Sequence, residues 1–192
     1  MSKKFLGGLA IGLGCIAYVS VDNKYIGAFL FSIGLLTICA RGWELFTGKL
    51  CGDASVKELA LTWVFNTLGV VTAAMSYLIF GRNVDTCMAI IEAKTAVHPF
   101  ESFVSAIFCE MCIYIAVTGY KEISSDLSKN LSVIMGVMVF ILCGFEHCIA
   151  DVFYACYGGW DAIVLLVAAT AGNVFGARVL NNILLKQLGG EP

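Results

Sequence analysis

At 192 residues, 59% of them apolar and 14% charged, with a mean hydropathy of +0.88, the chain is too hydrophobic for a soluble globular domain and too long for a single anchor. A net charge of −2 without any basic run gives no footing for a nucleic-acid partner. What remains is a polytopic protein embedded in a lipid bilayer.

An apolar helix of ~20 residues crosses the hydrocarbon core, and six segments qualify: 5–21, 25–48, 57–80, 100–120, 131–157 and 159–185. The first, in "MSKKFLGGLAIGLGCIAYVS", has the lysines and apolar run of a signal peptide. It is read as a span because Gly8-xxx-Gly12 is a close-packing helix pattern and no convincing cleavage site precedes the second span. The second span carries "ARGWELFTG" (40–48), and the third carries "TWVFNTLGVV" (62–71). His98-Pro99 marks the start of the fourth, which holds "FCEMCIY" with Glu110 at its centre. The fifth contains "GFEHCIAD" (144–151), placing Glu146, His147 and Asp151 where an ionised Asp costs ~2.5–3.5 kcal/mol on insertion-type scales. Such a concentration of intramembrane charge marks a polar pathway by default.

Loop charges set the orientation. Lys3, Lys4, Lys49, Lys57, Lys121, Lys129 and Lys186 share one side against Lys24, Arg82 and Lys94 on the other, which predicts that both termini are cytoplasmic. Nine cysteines are scattered along the spans without the paired spacing of a disulfide framework. Cys109-Glu-Met-Cys112 lies mid-span, without the context of a redox motif or a second ligand pair, and the chain has only two histidines, so neither a metal nor a cofactor is expected.

Gly-aromatic-Glu occurs in the second span as Gly42-Trp43-Glu44 and in the fifth as Gly144-Phe145-Glu146. If three spans repeat, the copies run in opposite directions across the membrane, giving inverted halves at approximately 5–80 and 100–185 within one channel domain, 1–192. Freed backbone groups are tolerated at that depth only where protein or a cavity surrounds them. Gly42, Glu44, Gly144 and Glu146 are therefore the expected helix-break residues, with Arg41 paired to Glu44 in one break and Glu146 accepting freed backbone donors in the other.

"FSIGL" (31–35) followed by "ARGWELFTG", then "EAK" (92–94), "GFEHCIAD" and "AGNVFG" (171–176), resembles the formate/nitrite transporter family in order and spacing over all six spans. The resemblance implies an aquaporin-like, all-α membrane fold of two inverted three-helix repeats with broken second and fifth helices. It also implies a homo-oligomer, a pentamer, in a bacterial or archaeal inner (plasma) membrane. Phe31 and Phe140 match the outer apolar constriction; Leu35, Leu45 and Phe46 match the inner one. Thr47 and His147 match a polar pair between them and Lys94 a vestibule lysine; with Glu110 and with Asn173 of the sixth-span motif they make up the expected substrate pathway. The implied substrates are formate, nitrite, hydrosulfide or a short monocarboxylate. A bare anion cannot shed its hydration at an apolar ring, whereas a neutral acid can cross it, and His147 titrates near enough to neutrality to assist.

Two positions depart from the family pattern. Glu110 stands where asparagine is common, which leaves several readings open: an acid kept protonated by burial, a partner of a His147 imidazolium, a salt bridge to Arg178, or a pore that has turned to ammonium or another small cation or neutral solute. Val70 stands where asparagine follows the glycine, with Asn66 one turn earlier as its replacement. An intramembrane enzyme using Glu146 and His147 and a proton-coupled secondary transporter are the rivals to a channel. The short N-terminal segment predicts weak acid-triggered gating from that side.

Overall fold

A computed structural model describes residues 1–187, which form nine helices and no strand. In chain order they are α1 (Ser2–Val19), α2 (Lys24–Arg41), α3 (Phe46–Leu50), α4 (Val56–Phe80), α5 (Val84–Thr95), α6 (Pro99–Glu122), α7 (Asp126–Leu142), α8 (Cys148–Ala155) and α9 (Asp161–Gln187). Five of them, α1, α2, α4, α6 and α9, are long and apolar enough to cross a membrane. Helix α7 has 17 residues, about 25 Å of rise, which falls short of a ~30 Å hydrocarbon core. It completes a crossing only with α8 beyond its break.

The second and fifth spans are thus both broken, as α2–α3 and α7–α8. Two expectations need correction. The fifth span begins at Asp126 rather than 131, because Ser125 caps α7 by accepting the amide of Ser128. Helix α5 is an element missing from the six predicted segments; its 12 residues, with Asp85, Glu92 and Lys94 among them, are too short and too charged to look like a span.

Both breaks are made the same way. Gly42, at φ 59°, and Gly144, at φ 69°, take the left-handed conformation that ends α2 and α7. Gly42 N–H donates to Cys39 O and Trp43 N–H to Ile38 O; Gly144 N–H donates to Ile141 O and Phe145 N–H to Phe140 O. Each pair satisfies carbonyls that the helix end would otherwise leave unbonded at membrane depth.

Helix α1 packs on α2 and α4, and α6 packs on α7 and α9, while α2 against α7 joins the two groups. The short helices are held across that divide, α3 by α4, α6 and α9, and α8 by α1, α4, α5 and α9. Close approach of α1 and α4 depends on Gly8, where an added Cβ would lie 2.0 Å from Asn66 O. Gly12 faces Ala73, and Gly172 and Gly176 face Phe103 and Ile107 of α6, so these small-residue faces are used inside the chain.

A pair of substitutions separates the two uses of glycine. Gly8→Ala drives a methyl into backbone and is expected to cost about 3 kcal/mol. Gly42→Ala meets nothing within 4 Å and costs only its left-handed strain, about 1 kcal/mol. Equal drops in thermal midpoint for the two purified proteins would mean that α1 and α4 separate easily, contrary to this account.

Candidate functional site

The two breaks are secured by one asparagine each. Asn66 of α4 accepts the first amide of α3, Phe46 N–H, at 2.7 Å and donates to Glu44 O at 2.9 Å and to Lys4 O. Asn173 of α9 accepts the first amide of α8, Cys148 N–H, at 3.0 Å and donates to Glu146 O at 3.2 Å and to Ala106 O. Both are fully buried, so each carboxamide takes the place of water for a helix start and the turn before it. The sequence comparison singled out Asn66 as a replacement hydrogen-bonding group and placed Asn173 in the substrate pathway; the contacts of both are to backbone.

Between the breaks, Thr47 Oγ1 and His147 Nε2 lie 3.1 Å apart, both buried. His147 is also the N-cap of α8, its Nδ1 accepting Ala150 N–H at 3.0 Å. A ring nitrogen that accepts an amide hydrogen carries none itself, so the imidazole is neutral, with its proton on Nε2 directed to Thr47 Oγ1. The Thr47 hydroxyl hydrogen is then free for another acceptor. This geometry favours a neutral His147 over the imidazolium alternative, since a second ring proton would break the cap and set positive charge at a helix N-terminus.

Apolar side chains flank the pair. Phe140 stacks on His147 at 5.6 Å and meets Phe31 edge-on at 5.8 Å. Leu35, Leu45 and Phe46 are buried as well. Two cavities approach this centre. One, of about 360 Å³, is lined by Leu35, Leu45, Trp43, Glu44, Lys49 and Lys121 among others. The other, of about 220 Å³, includes Phe140, His147, Lys94, Asp151, Tyr18 and Tyr154 in its wall. Leu35 and Leu45 thus border one cavity and Phe140 the other, whereas Phe31 and Phe46 border neither.

The charged groups pair differently from expectation. Glu44 binds Lys4 and, at 2.9 Å, Lys49 rather than Arg41. Lys49 also pairs with Glu58, tying the start of α4 to the α3 end of the break. The Glu146 side chain binds Lys94 rather than freed backbone donors. Lys94 lines the second cavity but is not a free cation, since Asp151 Oδ1 sits 3.0 Å from its Nζ in addition to Glu146. All of these partners are distant in sequence or on separate helices, and local spacing holds no sign of them.

Glu110, on α6, has no described hydrogen bond to the Thr47 hydroxyl or to His147 and instead meets the end of α3. Its Oε1 accepts the Cys51 thiol at 3.6 Å, and the same thiol reaches Thr47 O at 3.5 Å. Neither cavity includes it, no ion pair to Arg178 forms among the described residues, and its Oε2 has no partner there. No group of three or more His, Cys, Asp or Glu among the described residues is placed to hold a metal ion. Tyr18, Tyr154, Trp43 and Lys121 were not singled out as pathway residues, whereas Asp151, grouped with Glu146 and His147 as intramembrane charge marking a polar pathway, lines the second cavity. It stands four residues after His147, one helical turn along the same face.

A family model described as formate/nitrite transporter matches residues 1–186. The chain is 27% identical to "Uncharacterized transporter YrhG" of Bacillus subtilis, covering 94% of this chain and 81% of that protein. It is 26% identical to "Formate channel FocA" of Haemophilus influenzae, over 76% of this chain and 61% of the relative. Among solved structures, a "Pentameric formate channel with formate bound" superposes with a TM-score of 0.84 at 22% identity, covering 97% of this chain and 96% of that one. An "FNT family ion channel" superposes at 0.86 with 20% identity, over 100% and 89%.

Proposed function

The chain belongs to the formate/nitrite transporter family, a family of transmembrane transporters and channels rather than enzymes, and we propose that it is a channel for small monovalent weak-acid anions such as formate, nitrite, hydrosulfide or a short monocarboxylate. The observation that carries the reading is the buried Thr47–His147 hydrogen bond, which joins the two helix breaks between two cavities. An anion arriving from either cavity meets a free hydroxyl hydrogen on Thr47, with His147 Nε2–H bracing it from behind. Phe31 and Phe140 on one side, and Leu35, Leu45 and Phe46 on the other, refuse a hydrated ion and admit a neutral acid. Matching caps at Gly42 and Gly144, and matching Asn66 and Asn173 anchors, support a construction from two inverted halves. By similarity to the pentameric formate channel, the working form is a homopentamer in a plasma membrane, with the cavity bearing Lys49 and Lys121 facing the cytoplasm.

The test is flux of formate, nitrite, hydrosulfide and ammonium into proteoliposomes, each measured from about pH 5 to about pH 8, the range over which histidine and weak acids change charge. Anion entry is expected to rise as pH falls, because the neutral acid becomes more abundant while the bare anion gains nothing. Glu110→Gln should leave the order of substrates unchanged, since that side chain borders neither cavity. Passage of ammonium with no passage of any anion would overturn the anion assignment and leave the fold intact.

A further inference from the structure

At the second cavity one ammonium faces two carboxylates. Lys94 Nζ is shared between Glu146 and Asp151, and no other Lys, Arg or His forms an ion pair with either acid among the described residues. With both acids ionised, the cluster would hold a surplus negative charge beside a cavity that an anion must enter, inside protein at membrane depth. A single proton removes the surplus.

The hydrogen bonds distinguish the two acids. Glu146 is held on several sides: its side chain by Lys94, its amide by Ser105 Oγ and its carbonyl by Asn173. Asp151 is 2% exposed, and of its two oxygens only Oδ1 is engaged, while Oδ2 has no partner among the described residues although the residue lines the cavity. An ionised Asp151 would leave that oxygen bare and buried. A protonated one carries its hydrogen on Oδ2, the unpartnered oxygen of a residue that lines the cavity.

We infer that Asp151 is the proton donor to the anion in the second cavity. This rests on the weak-acid reading above and moves the acid's role from His147 to a carboxyl group one helical turn away. In the step, the Asp151 Oδ2–H bond breaks and a bond forms between that proton and an oxygen or sulfur lone pair of the anion. Asp151 is left as a carboxylate beside Lys94, so the combined charge of cluster and substrate is unchanged. The neutral acid passes Phe140 and Phe31, and water from the cavity mouth returns a proton to Asp151. The remaining titratable neighbours are Cys15 and Tyr18 from α1, Tyr77 from α4, Cys87 from α5, Cys109 from α6, and Cys148 and Tyr154 on α8 itself. Thiols and phenols such as these are neutral near neutrality. From α7 the cavity meets Phe140 and Ile141, which do not titrate; from α9 Thr170 approaches Cys148, and Asp161 shares with Lys94 a separate cavity that does not include Asp151.

Wild type, Asp151→Asn and Asp151→Glu are compared in proteoliposomes with formate as the probe, following formate entry together with internal pH. Infrared spectra of the same proteins report protonated carboxyl groups. Wild type is expected to bring in formate and a proton together. Asp151→Asn keeps the size and the contact to Lys94 but lowers formate entry near neutral pH about a hundredfold and removes a protonated-carboxyl band, and Asp151→Glu restores both in part. Unchanged entry in Asp151→Asn, or an unchanged infrared band, overturns the inference. Should Asp151→Asn fail to assemble, the Asp151→Glu and wild-type spectra decide: a band that does not shift between them, or that Glu110→Gln removes entirely, excludes a protonated Asp151. If wild type moves no anion, the weak-acid reading fails and the donor role with it, whereas anion flux with an ionised Asp151 defeats the donor role alone.

Discussion

Replacing Asn173 with leucine should lower the thermal midpoint of the purified protein by about 10 °C, corresponding to about 4 kcal/mol for a chain of this size. The size of the effect follows from what loses its partner. Cys148 N–H, the first amide of α8, has Asn173 Oδ1 as its acceptor, and Glu146 O accepts from Asn173 Nδ2. Both groups are enclosed by protein, so each is left with the desolvation cost of an unmade hydrogen bond, about 1–3 kcal/mol. Ala106 O also loses a donor, but it sits within α6 and keeps its helical one. Asn173→Asp is the informative companion: it retains the acceptor for Cys148 N–H and loses both donations, so it should fall between wild type and leucine. Asn66→Leu should behave like Asn173→Leu, because Phe46 N–H and Glu44 O depend on Asn66 in the same way. A midpoint within about 2 °C of wild type for either leucine variant, under 1 kcal/mol, would show that the breaks are held by helix packing and not by these carboxamides.

His147→Phe is expected to reduce anion flux by about 10- to 100-fold while the protein still assembles. The substitution keeps an aromatic ring against Phe140 and removes two hydrogen bonds, Nε2–H to Thr47 and Ala150 N–H to Nδ1. Loss of the cap costs about 1 kcal/mol of stability, which the nine-helix packing tolerates. Loss of the polar centre matters more for transport, since a hydrogen bond to a charged group is worth about 1.5–3 kcal/mol and each 1.4 kcal/mol is a tenfold change in rate or affinity. Flux and circular dichroism measured on the same preparation separate the two effects. Undiminished flux with intact helices would place the passage elsewhere than between Thr47 and Phe140.

Much of this arrangement is legible in the sequence, and the limits have a physical pattern. Long apolar runs fix the spans, and Gly42 and Gly144, each followed by an aromatic residue and a glutamate, reveal where the second and fifth must break, because helix termination is a local event. Partners across the fold are not local. Glu44 finds Lys4, and Glu146 finds Lys94, at separations of 40 and 52 residues. Nothing near Arg41 or Glu146 in the chain signals those choices. Glu110 was linked to the polar centre by its position in its span; its described hydrogen bond is to Cys51, a partner that no local spacing signals and whose thiol also reaches Thr47 O. Helix α5 was missed because a short helix of mixed apolar and charged residues has neither the length of a span nor the turn residues of a loop.

The cross-divide packing of the short helices also bears on how the chain is made. Lys4, Glu44, Lys49, Glu58 and Asn66 find their partners among themselves and the nearby backbone, all present once residue 80 has been synthesised. Thr47 and Lys94 are different, because their partners emerge later, on the stretch from Glu146 to Asp151. The nascent protein therefore acquires an N-terminal ion-pair framework while Thr47, Cys51 and then Lys94 still lack partners, which arrive with Glu110 and with the stretch from Glu146 to Asp151. A chain halted before Glu146 would be well inserted and without a pore.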